Sequence, residues 1–250
     1  MIQKDLTDRI VALCDDYLVL NKALGESTEP SPPAGIVDLP RVLHDELGGA
    51  FSPPHRLDVP VSGCVLFARN PGTLSFLGNC FRTPGRVEKI YWGIAEPPRE
   101  GEGLGSPGTP GSPPPSSPTW VELVHWLGTG RGNRAVAFDE EGPGRKRSVL
   151  RYRVVGRGER YLFLEIRPLT GRHHQIRAQL SRAGLPIKGD LKYGARRGEK
   201  SGGIRLHCRS LVFPDPASAG SAGTGRLIRV EAPPPAIDTL WRAFIDSITD

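Results

Sequence analysis

Three groups of polar residues in this 250-residue sequence have types and spacings that can carry chemistry. In the first, His55-Arg56-Leu57-Asp58 lies in a loop bracketed by Pro53-Pro54 and Pro60, just before an apolar stretch. Rigid loops at strand ends often carry functional side chains. A carboxylate there, held ionised by Arg56 and His55, can act as a nucleophile or a general base. The alternative is an aspartate that caps a turn beside exposed basic residues.

The second group, Thr170-Gly-Arg172-His173-His174-Gln175-Ile-Arg177, lies between a predicted β-hairpin and the next helix. Arg172 and Arg177 are five residues apart near a helix N-terminus, where free amide donors and basic side chains suit a phosphate or a buried carboxylate. Adjacent histidines cannot both face one metal from a helix, so we expect no metal site. The alternative is a polar helix start whose arginines are solvated.

The third group is Lys89-Ile90-Tyr91-Trp92 on a predicted strand. Alternation along a strand places Lys89 and Tyr91 on one face. A tyrosine on a strand usually belongs to the core, whereas an exposed tyrosine among basic residues can stack on a nucleobase. Both interpretations stay open at this point.

The charge distribution favours an anionic partner. The net charge of the chain is +6, but residues 131–209 contain 20 Lys and Arg against 7 Asp and Glu. Such asymmetry is typical of a surface for a polyanion, with nucleic acid the leading candidate. A solvated arginine-rich surface is the alternative.

Several function classes are excluded or disfavoured. The longest apolar runs fall far short of the roughly 20 residues that cross a bilayer. Acidic residues occupy the place of a signal-peptide core, so we expect a cytoplasmic protein. The four cysteines lack C-x-x-C spacing, which argues against zinc and favours reduced thiols. No convincing nucleotide or flavin motif is present, and the Gly-rich segment 128–132 lacks the strand and helix that such a site requires.

The elements that must position these residues form an α+β pattern, because strands outnumber helices without βαβ alternation. We predict a hairpin over 9–22, a loop over 23–40, a polar loop over 128–144 and a hairpin formed by 148–155 and 161–168. Other predicted strands cover 63–69, 87–95, 204–208, 211–213 and 226–230, and 119–127 is a further apolar segment. Predicted helices include 42–47, a helix that starts at 71, 172–182 and 237–248.

The Pro- and Gly-rich segment 97–118 has almost no apolar side chains and cannot contribute to a core. We interpret it as a flexible insertion within a single domain that covers residues 1–250. A linker between two lobes is the alternative.

Taken in chain order, these segments resemble the RluA-type pseudouridine synthases. The matching motifs are His55-Arg-Leu-Asp58 with Ser62-Gly63, Lys89-x-Tyr91, Thr170-Gly-Arg-x-His174-Gln-Ile-Arg177, Pro186-Ile-x-Gly189-Asp190-x-x-Tyr193-Gly194 and Leu206-His207. The opening Asp15-Asp16-Tyr-Leu-Val-Leu-Asn21-Lys22 is also similar to the first hairpin of this family. The resemblance extends over residues 9–231, which is nearly the whole chain.

The sequence departs from the family pattern at three places. Ala23 follows the Asn-Lys pair where the family usually has Pro, Val59-Pro60-Val61 replaces a frequent Arg-Asp-Thr, and His173 replaces a usual Thr. None of these changes the matched Asp, Tyr or Arg. The catalytic pattern begins within about the first ten residues, so we expect no counterpart of the small S4 RNA-binding domain that often precedes it in this family. RNA affinity is then expected to come from the catalytic domain itself.

The resemblance implies a mixed, largely antiparallel, curved sheet flanked by helices, with a catalytic cleft between two lobes. It also implies isomerisation of specific uridines in ribosomal or transfer RNA to pseudouridine, by a monomer that needs no cofactor and no metal. By resemblance, Asp58 is the catalytic carboxylate, Arg177 its counter-charge, and Tyr91 the residue that packs on the uracil and helps remove the C5 proton.

Seven further residues are expected to bind substrate by the same resemblance: His55, Arg56, Lys89, Arg172, His174, Gln175 and Leu206. Arg56 is similar to a side chain that fills the space of a flipped nucleotide, and Leu206 to one that closes the pocket below the base.

Two other functions compete with this interpretation. A retaining glycosidase needs a second carboxylate about 5 Å from the first, and no strong partner for Asp58 is evident. A catalytically silent RNA-binding homologue would lack one of the three catalytic residues, but Asp58, Tyr91 and Arg177 are all present.

Overall fold

The structure is a computed structural model that describes residues 6–98, 119–200, 202–218, 225–234 and 237–249. The helices are α1 (Leu39–Leu47), α2 (Pro71–Arg82), α3 (Gln175–Arg182) and α4 (Thr239–Thr249). The strands are β1 (Ile10–Leu13), β2 (Tyr17–Lys22), β3 (Glu26–Ser27), β4 (Val37–Asp38), β5 (Ser62–Ala68), β6 (Glu88–Ala95), β7 (Val121–Gly130), β8 (Arg134–Phe138), β9 (Lys146–Arg157), β10 (Leu162–Pro168), β11 (Leu206–Pro214) and β12 (Leu227–Glu231).

The chain forms two compact units. The first comprises Met1–Lys89 and His207–Pro235, and the second comprises Ile90–Leu206 and Ala236–Asp250.

The sheet of the first unit is mixed. Strand β2 pairs antiparallel with β1 and with β5, β5 pairs in parallel with β11, and β12 pairs antiparallel with β11. All seven residues of β5 are buried, which is typical of a strand covered on both faces. The loop that carries Asp58 therefore ends on the most buried strand of this unit.

Capping side chains fix where the helices of the first unit begin. The Asp38 carboxylate accepts the Arg41 N–H at 3.1 Å, and Asn70 Oδ1 accepts the Thr73 N–H at 2.8 Å. Both helices also carry a proline in the first turn, where its missing N–H costs nothing. These caps and prolines specify where α1 and α2 begin.

The sheet of the second unit is antiparallel, in the order β6-β10-β9-β7-β8. On one face, Trp241 and Phe244 of α4 pack against Ile94 and Phe163. Because side chains alternate along a strand, residues such as Ile166 point to the opposite face. That opposite face is where α3 packs, with the Gln179 side chain bonded to backbone of β7 and β9.

The α+β prediction, with a mixed and largely antiparallel sheet, is confirmed, and so are the hairpins β1–β2 and β9–β10. The predicted polar loop over 128–144 is wrong, because β7 runs to Gly130 and pairs with β8. The pairing is possible because Gly128 and Gly130 have no side chains. A Cβ atom at Gly130 would lie only 2.7 Å from Val136 Cγ2, and one at Gly128 only 3.3 Å from the Phe138 ring.

Three smaller boundaries also differ. Helix α3 starts at Gln175 and not at Arg172, because His174 adopts a left-handed conformation with φ of 50°. The two strands predicted within 204–213 form one strand, β11. The predicted loop over 23–40 contains the short parallel pair β3–β4 and the start of α1.

The predicted insertion over 97–118 lies outside the described residues from position 99 onward. In the described part of the chain, none of the helices has the length and apolar character needed to cross a membrane.

Candidate active site

Asp58 lies in a constrained turn of the first unit. Its carbonyl oxygen accepts the Val61 N–H at 2.9 Å, and the chain then enters β5 at Ser62. The Asp58 residue is half-buried, while Leu57 and Val61 on either side belong to the core. Two buried apolar anchors therefore hold a carboxylate at the end of a central strand.

A buried lysine holds the backbone of this turn. Lys22 Nζ donates to the carbonyls of Ala23 at 2.9 Å, Val59 at 3.2 Å and Val61 at 2.6 Å, and the side chain is fully buried. Burial lowers the pKa of Lys22 to about 7, while the nearby carboxylates of Glu26 and Asp58 favour its charged form. Lys22 thus places its amine donors under the Asp58 loop, together with a positive charge when it is protonated.

Glu26 in turn anchors the segment that follows Lys22. Its carboxylate accepts two hydrogen bonds from Arg9 Nη1, at 2.8 and 2.9 Å, and one from the Ala23 N–H at 2.7 Å. The Glu26 side chain is buried, so these contacts compensate its charge. Lys22 was part of the family motif in the sequence, but its role required knowledge of these tertiary contacts.

His55 is a structural residue of the loop. Its ring stacks on Phe81 with centroids 4.3 Å apart, and Nε2 accepts the Leu66 N–H at 3.1 Å. Burial, with a smaller contribution from Lys89, lowers the pKa of His55 to about 3, so the ring is neutral near pH 7. The expectation that His55 helps to keep Asp58 ionised is therefore wrong, and its contacts favour a positioning role over the predicted substrate contact.

Arg56 and Lys89 occupy different environments. Arg56 is exposed, and its Nη1 lies 3.1 Å from Glu29 Oε1. Lys89 is half-buried, and burial lowers its pKa. Arg56 is accessible to a bound RNA, and both substrate contacts remain predictions.

Ser62 and Gly63 of one motif and His207 of another lie where β5 pairs with β11. Gly63 has φ of 114°, and a side chain there would overlap the backbone of Cys208. His207 donates from Nε2 to the Ala232 carbonyl at 3.0 Å and accepts the Ser62 hydroxyl at Nδ1 at 2.9 Å. Burial lowers the pKa of His207 to about 4, which keeps it neutral in this role. These motif residues therefore hold two strands together directly after the Asp58 turn.

In the second unit, Arg177 forms a bidentate ion pair with Asp190. Nε and Nη2 of Arg177 lie 2.6 and 2.8 Å from the two carboxylate oxygens, and both side chains are buried. The guanidinium carbon also lies 4.8 Å from the centre of the Tyr193 ring. Asp190 and Tyr193 thus fix the plane of the guanidinium.

Tyr193 connects this ion pair to His174. The fully buried Tyr193 hydroxyl accepts the Ala135 N–H at 2.9 Å and lies 2.9 Å from His174 Nδ1. Donation of the hydroxyl proton to Nδ1 satisfies both groups and places the His174 proton on Nε2. The His173 ring stacks on His174 with centroids 3.7 Å apart. His174 is therefore held in one orientation and one tautomer.

Gln175 locks the loop that precedes α3. Its Oε1 accepts the Thr170 hydroxyl at 2.8 Å and the Arg172 N–H at 3.0 Å, while Nε2 donates to the Val149 carbonyl at 3.0 Å. Gln175 is buried, so these contacts favour a structural role over the predicted substrate contact. The Arg172 side chain, in the loop that Gln175 holds, is exposed.

Tyr91 and Leu206 are both buried in the second unit, at 8% and 2% exposure. Tyr91 lies opposite Ile166 in the β6–β10 register. A side chain at Gly93, two residues along the strand, would contact Ile166 Cδ1 at 2.9 Å and Leu206 Cδ1 at 3.7 Å. Tyr91 therefore adjoins an apolar wall of which Leu206 is part.

The structure gathers the predicted site residues into two sets. His55, Asp58 and Lys89 belong to the first unit together with the unpredicted Lys22, and the second unit contains His174, Arg177, Tyr91 and Leu206 with the unpredicted partner Asp190. The predicted pairing of Asp58 with Arg177 stays a prediction.

Comparison with known proteins connects this arrangement to one family. A family model described as RNA pseudouridylate synthase matches residues 16–182. The chain is 32% identical to ribosomal large subunit pseudouridine synthase C of Salmonella typhimurium over 241 residues, which cover 91% of this chain and 67% of that protein. It is 36% identical to an uncharacterized RNA pseudouridine synthase of Zymomonas mobilis over 159 residues, which cover 63% of this chain and 64% of that protein. The chain thus spans about two thirds of the length of these curated relatives.

Two solved structures have a similar fold. The solved structure of human RNA pseudouridylate synthase domain containing 4 aligns with a TM-score of 0.67 at 19% identity, covering 98% of this chain and 94% of that one. Human RNA pseudouridylate synthase domain containing 1 aligns with a TM-score of 0.64 at 24% identity, covering 91% and 84%.

Proposed function

The chain belongs to the RNA pseudouridylate synthase family, and from this premise we propose that it isomerises uridine to pseudouridine within RNA. The reaction breaks the bond between N1 of uracil and C1′ of ribose, turns the base, and joins C5 to C1′. The C5 proton leaves in the last step. N1 takes up a proton in exchange, so atoms balance without any oxidant, reductant or energy source.

The observation that carries the proposal is the position of the Asp58 carboxylate on a turn whose backbone is held by hydrogen bonds. Cleavage of the glycosidic bond either develops positive charge at C1′ or requires a proton to leave the ribose, and a positioned carboxylate serves both routes. Two of the three hydrogen bonds of Lys22, those to the Val59 and Val61 carbonyls, hold the backbone of the turn that bears Asp58. A carboxylate on a fixed turn can meet C1′ or the C2′ hydrogen in a repeatable geometry.

Arg177 is the proposed counter-charge of Asp58. Its plane is set by Asp190 and Tyr193, so that the guanidinium cannot turn freely. An ionised carboxylate in a water-poor site requires such a partner. In this proposal Asp190 acts through Arg177 and is a positioning residue.

Tyr91 and Leu206 take the proposed base-binding roles. Tyr91 packs on the uracil and assists removal of the C5 proton, and Leu206 closes the apolar wall beside the base. The target base must leave its stack to reach them, which costs a few kcal/mol. Arg56 occupies the space that the base vacates.

The proposed substrate is a structured ribosomal or transfer RNA. The relatives named above include a ribosomal large subunit pseudouridine synthase, and a Vibrio cholerae relative is named a dual-specificity RNA pseudouridine synthase. The positive charge of residues 131–209 supports an RNA partner. The proposal includes action as a monomer in the cytoplasm, where these RNAs are located.

Pseudouridine mapping tests the proposal. Ribosomal and transfer RNA from cells with and without the gene would be treated with a carbodiimide that marks pseudouridine and read by primer extension. We expect at least one stop to disappear without the gene and to return when purified protein is incubated with the unmodified RNA. Identical maps, together with no activity of the purified protein on either RNA class, would contradict the proposed function.

A further inference from the structure

One face of the second unit's sheet carries aromatic and arginine side chains side by side. We call it the Arg–Trp face and define it by Trp120, Trp126, Arg147, Arg151, Arg153 and Arg167. The strand register places these side chains together: Trp126 lies opposite Arg147, and Arg151 lies opposite both Glu122 and Arg167. It is the same face that α4 covers farther along the strands, at Phe163.

Aromatic rings on this face are stacked with guanidinium groups. The guanidinium carbons of Arg153 and Arg167 lie 5.0 and 4.7 Å from the Trp120 ring centre. At the neighbouring edge, Arg145 lies 3.6 Å above the ring of Phe138, which is opposite Trp126 in the register. Stacked planar groups on a sheet form a platform on which nucleobases can stack.

The face has an excess of positive charge. Arg151 pairs with Glu122 at 2.8 Å and Arg153 with Glu165 at 3.1 Å. Glu122 and Glu165 oppose the four arginines of the face, Arg147, Arg151, Arg153 and Arg167. About half of the Arg151 side chain and a third of the Arg153 side chain are exposed. An anionic partner would find both the charge and accessible donors here.

We propose that the Arg–Trp face is an auxiliary RNA-binding surface, separate from the face that bears Tyr91. Tyr91 lies opposite Ile166, and alternation directs Ile166 and Arg167 to opposite sides of β10. RNA on the Arg–Trp face therefore does not touch Tyr91, and it holds a part of the substrate away from the target uridine. This inference rests on the proposed function, because it assigns a second contact to the same RNA.

RNA fits this face better than an acidic protein segment does. Both would satisfy the arginines, but only a nucleic acid also supplies flat bases for Trp126 and the Trp120 stack. A single strand supplies phosphates for the arginines and bases for the aromatic rings.

The test compares two double variants with the wild type. Arg147→Gln with Arg151→Gln removes two charges from the Arg–Trp face. Arg41→Gln with Arg229→Gln removes two charges from exposed arginines of the first unit, each of which also lies near a carboxylate. Affinity for a fluorescein-labelled hairpin RNA would be measured by anisotropy over a range of salt concentrations, with Trp126→Ala and Trp126→Phe as stacking variants.

We expect the Arg147/Arg151 variant to bind roughly tenfold or more weakly near physiological salt, and its slope of log K against log salt to be smaller by about 1.4 to 1.8. The Arg41/Arg229 variant should stay close to wild type. Trp126→Ala should lower affinity about fivefold or more, and Trp126→Phe should restore most of it.

Equal effects of the two double variants, or none, would overturn the proposal. An acidic protein as the occupant would leave the RNA affinity of the Arg147/Arg151 variant unchanged and would overturn it as well. Turnover of a minimal RNA at saturation should be the same for both double variants and the wild type. Lack of turnover in the wild type would instead contradict the proposed function, and the binding comparison would still stand by itself.

Discussion

Lys22 Nζ lies 2.6 Å from the carbonyl oxygen of Val61, three residues after Asp58. This contact joins the first hairpin of the chain to the turn that bears the proposed catalytic carboxylate. Together with the bond to the Val59 carbonyl, it makes a buried lysine the support of that turn.

Replacing Lys22 with Met should therefore damage both stability and activity. Three carbonyls lose their donor, and we expect the free energy of unfolding at pH 7 to fall by about 1–3 kcal/mol. The turnover number should fall more than the substrate affinity, because the position of Asp58 changes. Urea unfolding and single-turnover kinetics measure the two effects. Lys192→Met, which removes exposed donors to the Gly132 and Asn133 carbonyls, is the matched control.

The same residue predicts a pH dependence of stability. The folded-state pKa of Lys22 is about 7, below its ordinary value of 10.5, so the unfolded chain binds more protons between these values. Stability must then rise with pH across this window. We expect the unfolding free energy of the wild type, relative to Lys22→Met, to increase between pH 7 and pH 10. A difference that stays constant or falls would show that Lys22 is charged in the folded protein throughout.

Variants of the Arg177–Asp190 pair can distinguish an effect on stability from an effect on catalysis. Either Arg177→Met or Asp190→Leu alone leaves a buried charge without its partner and should cost about 3–5 kcal/mol. The double variant removes both charges and should recover most of that stability, yet stay inactive because the proposed counter-charge of Asp58 is absent. Thermal unfolding and pseudouridine formation give the two readouts. Substantial activity in a stable double variant would exclude Arg177 from catalysis.

Gly63 should tolerate no side chain. Its φ of 114° and the overlap that a Cβ would make with the Cys208 backbone predict a loss of about 3 kcal/mol or more for Gly63→Ala. Gly85 also has positive φ, at 76°, but open space around it, so Gly85→Ala should cost only about 1–2 kcal/mol of backbone strain. Similar losses for both variants would show that the close approach of β5 and β11 is not a constraint.

Much of the fold could be predicted because local signals agree with it. The alternation of β9 and β10 and the prolines and caps of α1 and α2 are local, and they specify those elements. The start of α3 could not be predicted, because the left-handed His174 is held by Tyr193, 19 residues away. The β7–β8 hairpin could not be predicted, because Gly128 and Gly130 locally indicate a loop. Only the tertiary structure shows that Phe138 and Val136 of the partner strand occupy the space beside these glycines.

The candidate site was predictable only in part, for a similar reason. Asp58, Tyr91 and Arg177 were predicted from motifs, but Lys22 contacts Val61 across 39 residues and Arg177 contacts Asp190 across 13. The motifs predict that His55 and Gln175 contact substrate. In the structure His55 accepts the Leu66 N–H and Gln175 donates to the Val149 carbonyl, so both side chains stabilise the loops that carry them. Such contacts depend on tertiary structure and have no local signature.

The most direct test of the account is the Asp58→Asn variant, which keeps the size of the side chain and removes its charge. Wild type and variant would be incubated with RNA transcribed with C5-tritiated uridine, and tritium release would be followed alongside RNA affinity and thermal stability. We predict that release is abolished while affinity and melting temperature stay near wild type. Tritium release by Asp58→Asn at a substantial fraction of the wild-type rate would contradict the central claim that this carboxylate performs the isomerisation.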